Sequence, residues 1–160
     1  MKINFPFDYQ LRLYFSRLEK REGICSKVYQ EDDKHILLWD FDDVRLSKII
    51  KSLTAKQTQY KLPTIYIVTS SPKRFHAYCF ASRTFREIIH IISGTPEIDT
   101  KYLRLGMVRG YYTLRISSRT NDDFILIKTL LSSIPDEVNP LDISINEYLT
   151  INKGVHNAKG

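Results

Sequence analysis

The chain has 160 residues, of which 42% are hydrophobic and 26% are charged, a composition that predicts one globular domain with an ordinary core. No apolar run approaches the roughly 20 residues that span a bilayer, so we expect no membrane partner. The formal net charge of +6 favours a polyanionic partner such as nucleic acid. Cys25 and Cys79 match no zinc or redox spacing, so we expect reduced thiols in a cytoplasmic protein.

The local patterns, taken in chain order, alternate between helices and strands. Residues 7–23 place apolar and aromatic side chains at helical spacing and stop at a glycine, which predicts an N-terminal helix. Within the helical pattern over residues 82–93, Thr84 and Glu87 have the spacing of a capping box. The other patterns predict strands over 35–41, 64–70, 75–80 and 110–117, and helices over 42–53 and 82–93.

This order is β-α-β-β-α-β between residues 35 and 117, which is the α+β arrangement of ferredoxin-like and RRM-like cores. Two helices would cover one face of the sheet and leave the other face open. Residues 124–134 fit either a strand or a helix and belong to a C-terminal extension. We expect residues 1–150 to form a single domain and residues 151–160 to form a flexible tail.

Polar side chains fall on the face of the sheet that the helices would leave open. Because side chains alternate across a strand, Asp40 and Asp42 share this face if Trp39 packs under the helices. The same alternation sends His76 to that face from the second hairpin strand, and Arg115 from the last strand. Two carboxylates spaced in this way can hold Mg²⁺ or Mn²⁺, while the basic side chains can donate to phosphate oxygens.

Three stretches of the sequence resemble the motifs of the archaeo-eukaryotic primase superfamily. "WDFDD" resembles its acid-x-acid motif through Asp40 and Asp42. "SSPKRFHAYCF" is similar to its histidine motif through His76. "EIDTKYLRLGMVRGYYTLRISSR" resembles its third motif, with Asp99 as the lone acid and "TLRIS" as the basic strand. The resemblance covers residues 35–119.

The resemblance implies a primase or primase-polymerase catalytic core that transfers nucleotides from nucleoside triphosphates by two-metal catalysis. Its partners would be a single-stranded template or primer-template and a helicase or accessory replication protein. The bound ion would be Mg²⁺ or Mn²⁺, and its ligands would be Asp40, Asp42 and Asp99. The nucleotide-binding residues would be Ser70, Ser71, His76, Arg115, Ser117 and Arg119.

Other interpretations of the same residues remain open. The acids can be a solvated strand end, with Asp43 as the cap of the next helix, and Asp99 can belong to the first turn of a helix. The whole chain can be a non-catalytic RRM-like module that stacks single-stranded nucleic acid on tyrosines. It can also be a metal-dependent nuclease or a replication initiator.

Overall fold

The computed structural model describes residues 2–4, 10–12, 18–29, 31–116 and 124–151, and the side chains of 22–29, 31–69, 72–116, 124–143 and 145. The helices are α1 (Leu46–Tyr60), α2 (Phe85–Ser93) and α3 (Thr100–Arg109), with a 3-10 turn at Pro140–Asp142. The strands are β1 (Lys2–Asn4), β2 (Gln10–Arg12), β3 (Leu18–Val28), β4 (His35–Asp42), β5 (Ile65–Ser71), β6 (Arg74–Arg83), β7 (Thr113–Arg115), β8 (Ile125–Leu130) and β9 (Ile143–Ile151).

Contacts between residues divide the chain into two units, residues 1–21 with 147–160 and residues 22–146. The strands β1 and β2 form an antiparallel pair in the first unit. The single domain expected over 1–150 stays a prediction, and the predicted tail lies outside the described residues except for Ile151, which ends β9. No helix among the described residues is long and apolar enough to cross a bilayer.

The main sheet is antiparallel and open, in the order β7-β3-β4-β6-β5-β8, with β9 also paired to β3. Together with the helices it confirms the α+β class, and the architecture is broadly compatible with a ferredoxin-like core. Residues 124–134, for which strand and helix were both possible, contribute β8. An additional helix, α3, precedes β7, where the sequence patterns gave no element.

The predicted N-terminal helix is wrong for the described residues, because β2 and the start of β3 occupy that stretch. Gly23, interpreted as the end of the helix, lies within β3 opposite Arg115 of β7. Intrinsic helix preferences differ by at most about 0.7 kcal/mol per ordinary residue, so pairing with a distant strand easily outweighs them.

The helix-covered face of the sheet is the one that carries Trp39, as expected. Trp39 is fully buried, and its indole Nε1 donates a hydrogen bond to Thr95 Oγ1 at 3.1 Å, just beyond α2. Thr95 in turn donates to the carbonyl of Ile91 at 2.9 Å. This chain of hydrogen bonds satisfies the polar atoms of a buried tryptophan and joins β4 to the end of α2.

The expectation that the opposite face is left open is wrong over much of β4 and β6. Ile36 and Leu38 are fully buried on that face, and Tyr78 is only 8% exposed. The physical reason lies in the sequence of β4, since four consecutive apolar residues cannot leave every second side chain in water. The Tyr102 hydroxyl of α3 donates to the main-chain carbonyl of Leu38 at 3.1 Å, so α3 contacts β4 at this point.

Candidate active site

The strand register brings the acidic pair and the histidine together. Asp40 lies directly opposite His76, and Asp42 lies opposite Arg74, in the antiparallel pairing of β4 with β6. The His76 Nε2 atom is 3.5 Å from Asp40 Oδ1, and the Arg74 Nε atom is 3.8 Å from Asp42 Oδ1. The two cross-strand pairs therefore form one polar patch at the end of β4, as the alternation of side chains predicts.

The patch is graded from buried to exposed. The side chain of His76 is 10% exposed and that of Asp40 is 24% exposed, whereas those of Asp42 and Arg74 are 48% and 50% exposed. A ligand would therefore reach the Asp42–Arg74 pair first and the Asp40–His76 pair at greater depth.

Asp99 is next to this patch and also caps α3. Its backbone N–H donates to the carbonyl of Asp40 at 3.0 Å. Its carboxylate accepts from the N–H groups of Lys101 at 2.6 Å and Tyr102 at 3.0 Å, which is the geometry of an N-cap. The carboxylate of Asp99 thus serves as the helix cap while its charge acts on Asp40, and its expected role as a third metal ligand stays a prediction.

Asp40 is the most strongly perturbed carboxyl in the patch. Its pKa is raised from 3.8 to about 7, chiefly by burial, and the nearby carboxylates of Asp42 and Asp99 contribute in the same direction. The positive charges of Arg115 and Arg74 oppose this rise. A carboxyl that is desolvated among like charges favours any cation, whether a proton or a metal ion, over its bare ionised form.

His76 is held as a neutral imidazole. Its pKa is lowered to about 4, chiefly by burial and also by the charge of Arg115, while a hydrogen bond to the backbone of Arg115 opposes the shift. Although the 3.5 Å contact with Asp40 has ion-pair geometry, burial favours the neutral form of both groups, so we treat the contact as one between neutral partners near pH 6. The Tyr78 hydroxyl lies 3.5 Å from His76 Nδ1, and the ring of Phe124 stacks at 5.0 Å.

The other predicted site residues fall into two groups. Arg115 is half-buried in β7 and acts on both Asp40 and His76 through its charge, so it joins the patch as expected. The backbone of Ser70 and Ser71 ends β5, but their side chains lie outside the described residues, as do Ser117 and Arg119 altogether.

Two residues of the patch were not among the metal-binding and nucleotide-binding residues that the resemblance implies. Arg74 lies two positions before His76 on β6, so the alternation that selects the histidine also selects the arginine. Phe124 stacks on His76 from a segment far along the chain, and no local signal in the sequence could have placed it there.

The oxygen donors of the patch suit Mg²⁺ or Mn²⁺ in their chemistry. No group of three or more His, Cys, Asp or Glu side chains in the described part of the chain is gathered closely enough to hold an ion unaided. Mg²⁺ is usually bound by one or two carboxylates, with water and substrate phosphates completing its coordination. Asp40 and Asp42 fit this mode of binding, in which the phosphates arrive together with the ion.

Three tyrosines in or beside the strands that carry the patch form a poor stacking platform for bases. Tyr78 and Tyr112 are buried, and the ring of Tyr111 is half-buried with Lys27 Nζ 5.3 Å from its centroid. An RRM-like module needs exposed aromatic faces on the sheet.

No protein-family description, curated protein or solved structure matches this chain.

Proposed function

We propose that the chain is a metal-dependent nucleotidyltransferase of the primase-polymerase kind, which transfers nucleotides from nucleoside triphosphates to a growing strand. The observation that carries the proposal is the joined pair of cross-strand contacts, Asp40 with His76 and Asp42 with Arg74, flanked by the charge of Arg115. It unites carboxylates with phosphate-binding cations on one surface.

The carboxylates have the role of holding Mg²⁺ or Mn²⁺. Asp42 is half exposed and accessible to an arriving ion, whereas Asp40 supplies a buried oxygen behind it. Since Asp40 is desolvated among other carboxylates, a divalent cation would displace its proton and relieve the repulsion from Asp42 and Asp99. When bound, the ion lowers the charge on the triphosphate and favours attack by a hydroxyl at the α-phosphorus with departure of pyrophosphate.

The basic residues have the role of holding the triphosphate. Arg74 is half exposed and only loosely paired with Asp42 at 3.8 Å, so a phosphate group can take over its guanidinium. Arg115 is half-buried, and its charge acts on Asp40, so it supplies a second positive charge to the same patch. Two arginines beside the acids suit a ligand that carries both a cation and an anionic chain.

His76 has a positioning role as a neutral donor. Its ring is fixed between Asp40, the Tyr78 hydroxyl and the Phe124 ring, and its orientation is therefore set before a ligand binds. A neutral imidazole donates through one nitrogen only. The hydrogen bond to the backbone of Arg115 ties that donor to the strand that carries the second arginine.

The test is incorporation of a labelled nucleotide on a primed and an unprimed single-stranded template, with Mn²⁺ or Mg²⁺ present. We expect Asp40→Asn and Asp42→Asn to reduce incorporation by roughly a hundredfold or more, the scale at which loss of an essential electrostatic partner acts. Asp43→Asn is the matched control, because it removes the same charge one residue away at an exposed position.

The φ of 58° at Asp43 is also one that asparagine tolerates, so the control variant should fold normally. Full activity in both site variants, or equal loss in the control, would contradict the proposal.

Single-strand binding that is unchanged in the variants, without incorporation by the unaltered protein, would instead support a binding module. Cleavage of an oligonucleotide without triphosphate would support a nuclease. The proposal also includes a helicase or an accessory replication protein as a binding partner of this chain.

A further inference from the structure

A cavity of about 380 Å³ lies away from the acidic patch, between the end of α1 and the first turns of α2. None of the residues that line it takes part in the site described above. They are Tyr60, Arg83, Arg86, Glu87, His90 and Ile91. The volume lies within the range of pockets that hold small ligands.

Two of the charged residues in the lining are already engaged. Arg83 donates to Glu137 Oε2 at 2.6 Å and to the carbonyl of Ser82 at 2.7 Å. Glu87 accepts from the backbone N–H and the hydroxyl of Thr84, both at 2.8 Å, in the capping box of α2. These hydrogen bonds keep Glu87 ionised and lower its pKa, so its role is structural.

Arg86 differs from these two residues because its charge is not neutralised locally. Among the described residues no carboxylate lies within ion-pair distance of Arg86, although its side chain is exposed and lines the cavity. His90 lies one helical turn further along α2, so both side chains share one face of the helix. The two therefore present nitrogen donors side by side at the cavity.

The rest of the wall is aromatic and aliphatic. The ring of Tyr60 meets His90 edge-on, with centroids 6.1 Å apart, and Ile91 closes the wall from α2. Lys56 Nζ lies 5.4 Å from the centroid of Tyr60 and adds positive charge beside the cavity. The combination is an anion-binding pair of side chains next to a flat apolar surface.

We propose that this cavity binds a phosphate monoester that carries a planar ring. The phosphate lies between Arg86 and His90, where the guanidinium donates two parallel hydrogen bonds and the imidazole donates one. The planar ring lies against the half-buried ring of Tyr60, which covers part of its apolar surface. The site requires no metal, and it does not depend on the proposed nucleotidyl transfer.

The test is a titration of the full chain with adenosine monophosphate, followed by NMR or calorimetry, with EDTA present so that metal-dependent binding is absent. We expect saturable binding that Arg86→Gln weakens about tenfold or more, because a hydrogen bond to a charged group is lost. His90→Phe keeps a ring against Tyr60 but removes the donor, and should also weaken binding. Phenyl phosphate should also bind, whereas inorganic phosphate and adenosine should each bind about tenfold more weakly than adenosine monophosphate.

The matched control is Arg104→Gln, which removes an equally exposed arginine from α3 and should leave binding unchanged. No saturable binding of adenosine monophosphate would overturn the proposal. Equal weakening by Arg104→Gln would overturn it too, because it would indicate attraction by net charge alone. Binding that Asp42→Asn abolishes and Arg86→Gln leaves intact would place the ligand at the acidic patch, and would also overturn it.

Discussion

Replacing Asp40 by asparagine should stabilise the protein by a margin that grows with pH. The fold raises the pKa of this carboxyl from 3.8 to about 7. Its contribution to stability is therefore complete below pH 3.8 and is lost as the pH rises towards 7. The loss takes place between pH 3.8 and about pH 7, and a measurement from pH 5 to pH 8 covers about two units of that range. Two pH units correspond to about 2–3 kcal/mol in the free energy of unfolding. Asparagine has a similar size and no charge, so the variant escapes this loss.

The assay is urea unfolding at several pH values between 5 and 8, in EDTA, followed through the fluorescence of Trp39, the one tryptophan in the chain. The quantity of interest is the difference in unfolding free energy between Asp40→Asn and the unaltered protein. Asp43→Asn is the control, and its difference should stay nearly constant with pH. A difference for Asp40→Asn that is flat, or that shrinks as the pH rises, would refute the reasoning.

Three further variants test other parts of the structure. His76→Gln should make the free energy of unfolding fall more steeply between pH 4.5 and 6.5. The lowered pKa of His76 makes the unaltered protein more stable as the pH rises through this range, which offsets the loss of stability caused by Asp40. Gly106→Ala should cost about 1–3 kcal/mol in thermal or urea unfolding, since an added Cβ would overlap the buried ring of Tyr112. Thr84→Ala should cost about 1 kcal/mol by the same measurement, because it removes the capping box of α2.

Two of these variants have a matched control variant, and His76→Gln is compared with the unaltered protein. Gly94→Ala meets the flexible end of Lys56 and a carbonyl at 3.2 Å, and should cost less than Gly106→Ala. Thr58→Ala lies on the exposed side of α1 and should be neutral or slightly stabilising. A pH dependence of His76→Gln equal to that of the unaltered protein would contradict the offset between the two groups. If Gly94→Ala lowered the free energy of unfolding as much as Gly106→Ala, the contact between Gly106 and Tyr112 would be contradicted. If Thr58→Ala lowered it as much as Thr84→Ala, the capping box would be contradicted.

The side-chain alternation of strands placed most of the acidic patch correctly from the sequence. It depends only on the pleat of the strand, which local residue types specify well in β4 and β6. The same rule put His76 on the face of Asp40, whereas their direct pairing depends on a strand register that alternation does not fix. The capping box at Thr84 and Glu87 was likewise predictable, because both partners lie within one turn.

Features that depend on distant parts of the chain were not predictable in this way. The pairing of Gly23 with Arg115 joins segments that are far apart in sequence, and it replaced the expected helix with a strand. The burial of Ile36 and Leu38 removed the open face, because neighbouring elements fold against it. The stacking of Phe124 on His76 is also long-range. No periodicity within a single element encodes such contacts.

The most direct test of the central claim is a titration with Mn²⁺ followed by electron paramagnetic resonance, with and without a nucleoside triphosphate. We predict saturable loss of the free-ion signal that the triphosphate strengthens, that Asp43→Asn preserves, and that Asp40→Asn and Asp42→Asn remove. A free-ion signal that the protein leaves unchanged, or that all three variants reduce alike, would contradict the assignment of the acidic patch as a site for metal and triphosphate.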